Sequence, residues 1–168
     1  MTAMDAAHFR RTLGSFPTGV TVVTSTGPEG EPVGMVCNSF TSVSLDPPLV
    51  LICAARSSTT WPLIRERGRF CVNILDSDGE WLGRRFSARS PDRFAGVRWK
   101  PSETGPELED AVARLSCVID AEHAGGDHVI VVARVLALTD SAAEPLVFHR
   151  GRYGALARPP APAVGRTR

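Results

Sequence analysis

A-R-L-S-C-V-I-D-A-E-H-A-G-G-D-H-V-I-V-V-A-R-V-L-A-L, residues 113–138, sets two long runs rich in apolar and β-branched residues on either side of a Gly-Gly-Asp turn. The runs 113–123 and 128–138 read as two long strands, because β-branched side chains fit a pleated, half-buried surface. Gly125 and Gly126 between them permit backbone geometry closed to other residues. A chain with strands this long and a turn this short is organised around a sheet.

Working outward, residues 70–75 form another strand, and residues 49–54 are a short, unbroken apolar run that reads as a strand buried on both faces. Residues 20–26 are rich in Val and Thr and meet the turn G-P-E-G, after which residues 33–44 return as an antiparallel partner that D-P-P at 46–48 ends. A short strand closes the series at 146–149. Three short helices are expected. Asp5 caps one that carries Phe9 and Leu13 and stops near Gly14 and Pro17; residues 61–67 form a second, ended by Gly68; Asp76 or Ser77 caps a third, with Trp81, Leu82 and Phe86.

Strands outnumber helices and connect mainly by short turns, so a closed or nearly closed antiparallel barrel hides their edges most economically. An αβα doubly wound sheet is disfavoured. At 168 residues with 43% hydrophobic content the chain makes one domain, spanning residues 1–156. Residues 157–168, with several prolines and no periodic apolar face, read as a disordered tail.

The formal charge of +1 without long runs of one sign gives no electrostatic case for nucleic acid or an anionic membrane. No apolar stretch reaches the roughly 20 residues needed to span a bilayer, and no basic leader precedes a hydrophobic core. Cys37, Cys53, Cys71 and Cys117 are widely spaced, lack a C-x-x-C pair, and read as reduced thiols with no metal role. The expectation is a soluble, cytoplasmic protein that acts on small molecules.

The stretch 34–48, G-M-V-C-N-S-F-T-S-V-S-L-D-P-P, carries Asn38, Ser39, Thr41, Ser42 and Ser44 inside a β run. Buried polar groups need partners, and a planar ligand edged with heteroatoms would supply them; an exposed edge strand facing water would also account for them. Arg56, Ser57, Ser58, Thr59 and Thr60 lie between a strand and a helix, where they suit either a phosphate cradle or an ordinary helix cap. In G-G-D-H, Asp127 either orients the ring of His128 or stabilises the turn, since consecutive strand residues point to opposite faces.

Several blocks in order give a wider likeness: F-R-R-T-L-G-S-F-P-T-G-V-T-V-V-T from Phe9, the 38–48 block, F-C-V-N-I-L from Phe70, R-R-F-S and D-R-F between Arg84 and Phe94, G-G-D-H, and P-L-V-F-H-R-G-R-Y from Pro145. Over about residues 9–156 the chain resembles the short-chain flavin reductases, the reductase components of two-component flavin-dependent monooxygenases. The resemblance implies a Greek-key split β-barrel that binds FMN or FAD, forms a homodimer and is mainly β with short helices.

It also implies a site. Asn38, Ser39, Phe40, Ser42, Val43 and Ser44 would border the flavin, with Thr18 and Gly19 approaching the isoalloxazine. Arg56, Ser57, Ser58, Thr59 and Thr60 would hold its phosphate, with Phe86 and Arg93 as a second anchor near the phosphates or the adenosine. Gly126, Asp127 and His128 would meet the nicotinamide, and Arg152 and Tyr153, with His149, Arg150 and Gly151, would close over the pyridine nucleotide. Relatives commonly carry Thr where this chain has Val36, and Gly where it has Ala133. The first change removes a hydroxyl near the ring.

The activity implied is reduction of FAD or FMN by NADH or NADPH, with His128 as the catalytic candidate and a partner monooxygenase receiving the reduced flavin. Such hydride transfer needs stacking and donors more than acid-base groups. No G-x-G-x-x-G opens a βαβ unit, so the nicotinamide must lie directly against the flavin, and no G-x-S-x-G elbow supports a serine hydrolase. The competing class is a non-catalytic flavin-binding barrel, a storage or sensor module.

Overall fold

The long strands are β9 (Ala111–Gly125) and β10 (His128–Asp140), an antiparallel hairpin whose register begins at His128 opposite Gly125. Gly126 takes φ 69° in the turn, a left-handed value that suits glycine. Register shifts at Val132/Ala133 and Val135/Ala137 bend the hairpin, as bulges do, and start the curl of the whole sheet. This computed structural model describes residues 5–90 and 92–157, so the tail expected at 157–168 lies, apart from Ala157, outside the described residues.

The remaining elements are α1 (Ala6–Leu13), β1 (Thr18–Gly19), β2 (Thr21–Thr26), β3 (Pro32–Cys37), β4 (Thr41–Leu45), β5 (Pro48–Ala55), α2 (Trp61–Arg67), β6 (Arg69–Leu75), α3 (Glu80–Ser87), β7 (Trp99–Lys100), β8 (Glu107–Leu108), β11 (Leu146–His149) and β12 (Arg152–Ala155). Seven strands form one antiparallel sheet in the order β3-β2-β6-β9-β10-β5-β4. A small sheet β1-β11-β12 packs beside it, and β7 pairs with β8.

The two edge strands, β3 and β4, are neighbours in sequence. Only residues 38–40 join them, and four Cα steps span at most about 14 Å. The sheet therefore curls until its edges nearly meet. They do not pair, so of the closed or nearly closed barrel expected, full closure is not found: the sheet stays open and curled, its seam bridged by a connector instead of a ladder. For the same reason residues 33–44 are not one strand: residues 32–37 pair with β2, and residues 41–45 pair with β5 on the far edge.

Burial refines two more expectations. In β5, Val50, Ile52 and Ala54 are buried while Leu49, Leu51 and Cys53 are only half-buried, so this strand faces the core on one side. A strand that is buried on both faces is β2: Val23 joins a core cluster with Ile52, Phe70, Val131 and the α2 residues Trp61 and Ile64, whereas Val22 joins a second with Leu75, Leu82, Phe86 and Leu146. The fully buried Asn73 on β6 is satisfied throughout. Its Nδ2 donates to Val22 O, Thr24 Oγ1 and Pro106 O, and its Oδ1 accepts from Leu108 N at 2.8 Å, which ties the loop before β8 to the sheet.

Helix ends follow local chemistry. The Asp5 carboxylate accepts from Ala7 N and His8 N, and Gly68 stops α2 at φ 72°. The cap of α3 is Gly79, with no side-chain bond, which corrects Asp76 or Ser77: Asp76 Oδ1 accepts from Asp78 N in a turn ahead of the helix, and Ser77 N bonds to Glu144 O. Among the described residues no helix is long and apolar enough to cross a membrane.

Candidate functional site

Where β3 and β4 part, the seam opens into a cavity of about 940 Å³. Its walls are the end of β3, the connector residues Asn38 and Ser39, the end of β5, the segment Ser57–Thr60, the last turn of α3 at Phe86 and Ser87, the loop residues Arg89, Ser90 and Arg93, and His128 at the start of β10. Among the described residues no acidic side chain lines it, while two arginines do.

The connector is held by a hydroxyl. Ser39 Oγ accepts from Cys53 N at 2.8 Å and donates to Cys53 O at 3.2 Å, replacing at one point the ladder that β3 and β4 lack. The Cys37 sulfur sits 3.1 Å from the same oxygen. Ser39 therefore has a structural partner already, and the polar group left over is its neighbour: Asn38 Oδ1 is buried with no hydrogen-bond partner among the described residues. Such an atom is costly unless a donor arrives. Phe40 packs on the first core cluster, and Ser42, Val43 and Ser44 lie on β4 at the edge, outside the cavity wall.

On the opposite wall Ser58 Oγ accepts from Thr60 N and Trp61 N, so it shapes the entry to α2. Thr60 is buried and its hydroxyl receives Arg93 Nη1 at 2.8 Å. Arg93 also donates to Gly34 O at 2.9 Å and Ala88 O at 3.0 Å, which fixes its guanidinium across the rim. Phe86 meets Phe94 edge to face at 5.0 Å, while Ser87 Oγ turns back to Gly83 O. Arg56 points away: its Nε donates to Gly126 O and its backbone N–H to Asp127 O, and it lines a separate cavity with Trp61 and Arg65.

His128 Nδ1 lies 2.7 Å from Asp127 Oδ1. The alternation that argues against contact between neighbouring residues does not apply, because Asp127 belongs to the turn and only His128 to the strand. The hydrogen bond from His128, and then its charge, hold the exposed Asp127 carboxyl below the usual range. The carboxylate engages Nδ1, so Nε2 is the ring nitrogen free of it.

Thr18, Gly19, Arg152 and Tyr153 come together elsewhere. Thr18 pairs with Phe148 and Gly19 with Val147, and His149 pairs with Arg152 across β11 and β12. A second cavity of about 630 Å³ there is lined by Pro17, His149, Arg150, Arg152 and Tyr153. The Tyr153 ring packs on Phe148 at 5.1 Å with Arg84 5.4 Å above it. Thr18 Oγ1 is buried without a partner among the described residues.

Sequence reasoning missed Met35, Cys37, Cys53, Ala54 and Ala55, which enter the wall only because the seam opens beside them. It also passed over Arg89 and Ser90, whose signal is their place between R-R-F-S and D-R-F. Three of the thiols are kept from acting as nucleophiles: burial pushes Cys37 up and takes Cys71 and Cys117 to about 12. No group of three or more metal-ligating side chains exists among the described residues.

Residues 13–157 match the family model described as flavin reductase like domain. The chain is 44% identical over 154 residues to the reductase subunit HsaB of a flavin-dependent monooxygenase of Mycobacterium tuberculosis, covering 89% of this chain and 82% of that one. It superposes with a TM-score of 0.87 and 43% identity on nitrilotriacetate monooxygenase component B of Mycobacterium thermoresistibile, covering 92% of this chain and 90% of that one. A TM-score of 0.84 and 41% identity relate it to the NADH:FAD oxidoreductase SgcE6 of Streptomyces globisporus, solved in complex with NAD and FAD fragments, with 95% of each chain covered.

Proposed function

Because this chain belongs to the flavin reductase family, we propose that it oxidises NADH with free flavin, FAD or FMN, and releases the reduced flavin to a partner monooxygenase. The observation that carries this reading is the seam cavity, with an unsatisfied amide oxygen on one wall, a hydroxyl- and arginine-bearing wall opposite, and a histidine at its mouth.

The residues fit a flavin. Asn38 Oδ1 is an acceptor suited to a ring N–H, and Ser57, Thr59 and Arg93 offer donors to a phosphate, with no carboxylate on the wall to oppose it. Bound flavin and nicotinamide would supply the chemistry between themselves, a hydride passing from nicotinamide C4 to flavin N5 with solvent providing the one proton that completes the neutral reduced flavin. The protein's part is to hold both rings, keep the cavity polar where negative charge develops, and place His128 Nε2 beside the nicotinamide.

Assembly as a homodimer belongs to the same reading. Leu51 lies opposite Val132 and Cys53 opposite Ile130 on the outer face of β5 and β10, all half-buried. Val43, Leu45, Leu136 and Leu138 are exposed nearby on β4 and β10, with Leu45 at 95% exposure. Faces of this kind call for a cover. Four free cysteines suit the cytoplasm.

The test is direct: purified protein is mixed with NADH and FAD or FMN, and nicotinamide absorbance is followed. Flavin-dependent oxidation above the protein-free rate supports the reading, and its absence with both NADH and NADPH overturns it.

A further inference from the structure

Resting on the flavin-reducing role, we propose that Arg89 is a specificity-determining residue of the seam cavity, binding the adenosine-side phosphate of FAD and so favouring FAD over FMN. The two arginines of the wall are not equivalent. Arg93 is fixed by bonds to Gly34 O, Thr60 Oγ1 and Ala88 O, close to the hydroxyls of Ser57 to Thr60. Arg89 lines the same cavity, is exposed, and among the described residues has neither a hydrogen bond nor an ion pair. Its neighbours in the chain are bonded on both sides, because Ala88 N donates to Arg84 O at 3.1 Å, Ser90 N donates to Ala88 O at 3.1 Å, and Arg93 Nε donates to the same Ala88 O.

One fixed arginine with a cluster of hydroxyls suffices for a single phosphate. A second guanidinium on the rim suits a second phosphate further from the ring, since arginine's planar fork matches phosphate oxygens. The cavity's size agrees: about 940 Å³ stands near the top of the ordinary range for ligand pockets, roughly 300–1,000 Å³, with room beyond an isoalloxazine and one phosphate. Charge agrees as well. The whole chain carries only +1, yet among the described residues this wall has two arginines and no carboxylate.

The comparison of FAD with FMN isolates the effect. Near pH 8 a phosphate monoester carries close to two negative charges, its second pKa being about 6, and a diphosphate diester carries two as well. A general loss of positive field therefore weakens both flavins alike, and only a loss placed at the second phosphate changes their ratio. Binding is read without nicotinamide, by quenching of flavin fluorescence, so the outcome does not depend on turnover.

For Arg89→Ala the ratio Kd(FAD)/Kd(FMN) is expected to rise about tenfold, the loss of one charge-assisted contact, and Arg89→Lys is expected to recover part of it. The ratio of KM values with NADH moves in parallel. An unchanged ratio in Arg89→Ala, with the protein folded by circular dichroism, overturns the proposal. A wild-type protein that binds flavin with the expected preference but does not oxidise NADH leaves the phosphate contact standing and removes the reductase role instead.

Discussion

The imidazole of His128 and the carboxylate of Asp127 meet at 2.7 Å across the boundary between a turn and a strand, with Nδ1 as the ring atom engaged. That choice decides which nitrogen is left for a ligand. A proton on Nδ1 shared with the carboxylate leaves Nε2 as the atom free to meet the nicotinamide. Asp127 is thus a positioning residue, and His128 the one that would touch.

Substituting His128→Ala should raise the NADH KM or lower kcat by about tenfold or more while flavin Kd stays within about twofold. Asp127→Asn, which keeps size but removes charge, should produce a smaller change of the same kind and shift the pH profile of kcat/KM. Because the Asp127 carboxyl is held below its usual range, its contribution is complete above the unfolded-state value and is lost as pH falls through the lowered one. The carboxylate is therefore ionised throughout the range in which NADH is stable, and steady-state kinetics there check the pair: identical kcat and NADH KM for wild type and Asp127→Asn would remove it from the site.

Asn38 makes opposite predictions for stability and binding. Its Oδ1 is buried and unpartnered, so the flavin-free protein carries a cost that only a donor relieves. Asn38→Leu, similar in size, should leave the melting temperature of the flavin-free protein unchanged or higher and weaken flavin binding about tenfold. Thermal melts and fluorescence titration settle both. A fall in stability without a change in flavin Kd would show that the amide serves the fold.

Elements set by local signals were legible in the sequence. The helix at 61–67 needs only its apolar pattern and Gly68, and the long hairpin needs only β-branched runs and the turn at Gly126. The seam was not legible. Residues 33–44 read as one strand because nothing local marks Asn38 as the point where the chain leaves one edge of a sheet for the other, a fact fixed by how far the sheet curls. The same non-local curl decides that Ser39 spends its hydroxyl on Cys53 while Asn38 is left open, and that Ala54 and Ala55 face a cavity. Sequence reasoning grouped Arg152 and Tyr153 with His128 on resemblance; in the folded chain they line a different cavity.

The buried thiols predict alkaline lability. Desolvation is the first cause that takes Cys71 and Cys117 from 9.0 to about 12, with the nearby Cys71 adding to the effect on Cys117. A raised folded-state value means the stability is complete below the unfolded-state pKa and is lost as pH climbs toward the folded one. Unfolding free energy should therefore fall above about pH 9, by up to roughly 1.4 kcal/mol per unit for each thiol. Urea midpoints at about pH 8 and about pH 10 should converge in Cys71→Ala and Cys117→Ala relative to wild type; an unaltered pH slope in both variants would assign the loss to other groups.

Ser39 is where fold and site share one atom. Its Oγ both receives and gives a hydrogen bond at Cys53, so Ser39→Ala leaves a backbone N–H and a carbonyl on β5 short of partners, at a cost of about 1–3 kcal/mol. The same change frees the connector that carries Asn38, so flavin affinity should fall as well, although Ser39 itself has no donor to spare for a ligand. Asn38→Leu and Ser39→Ala then weaken flavin binding alike, but only Ser39→Ala lowers stability. Urea unfolding of the two variants, beside flavin titrations, separates a residue that meets the ligand from one that holds the seam. If Ser39→Ala keeps wild-type stability, the edges are held together by the packing of β5 on the core, and the hydroxyl is incidental.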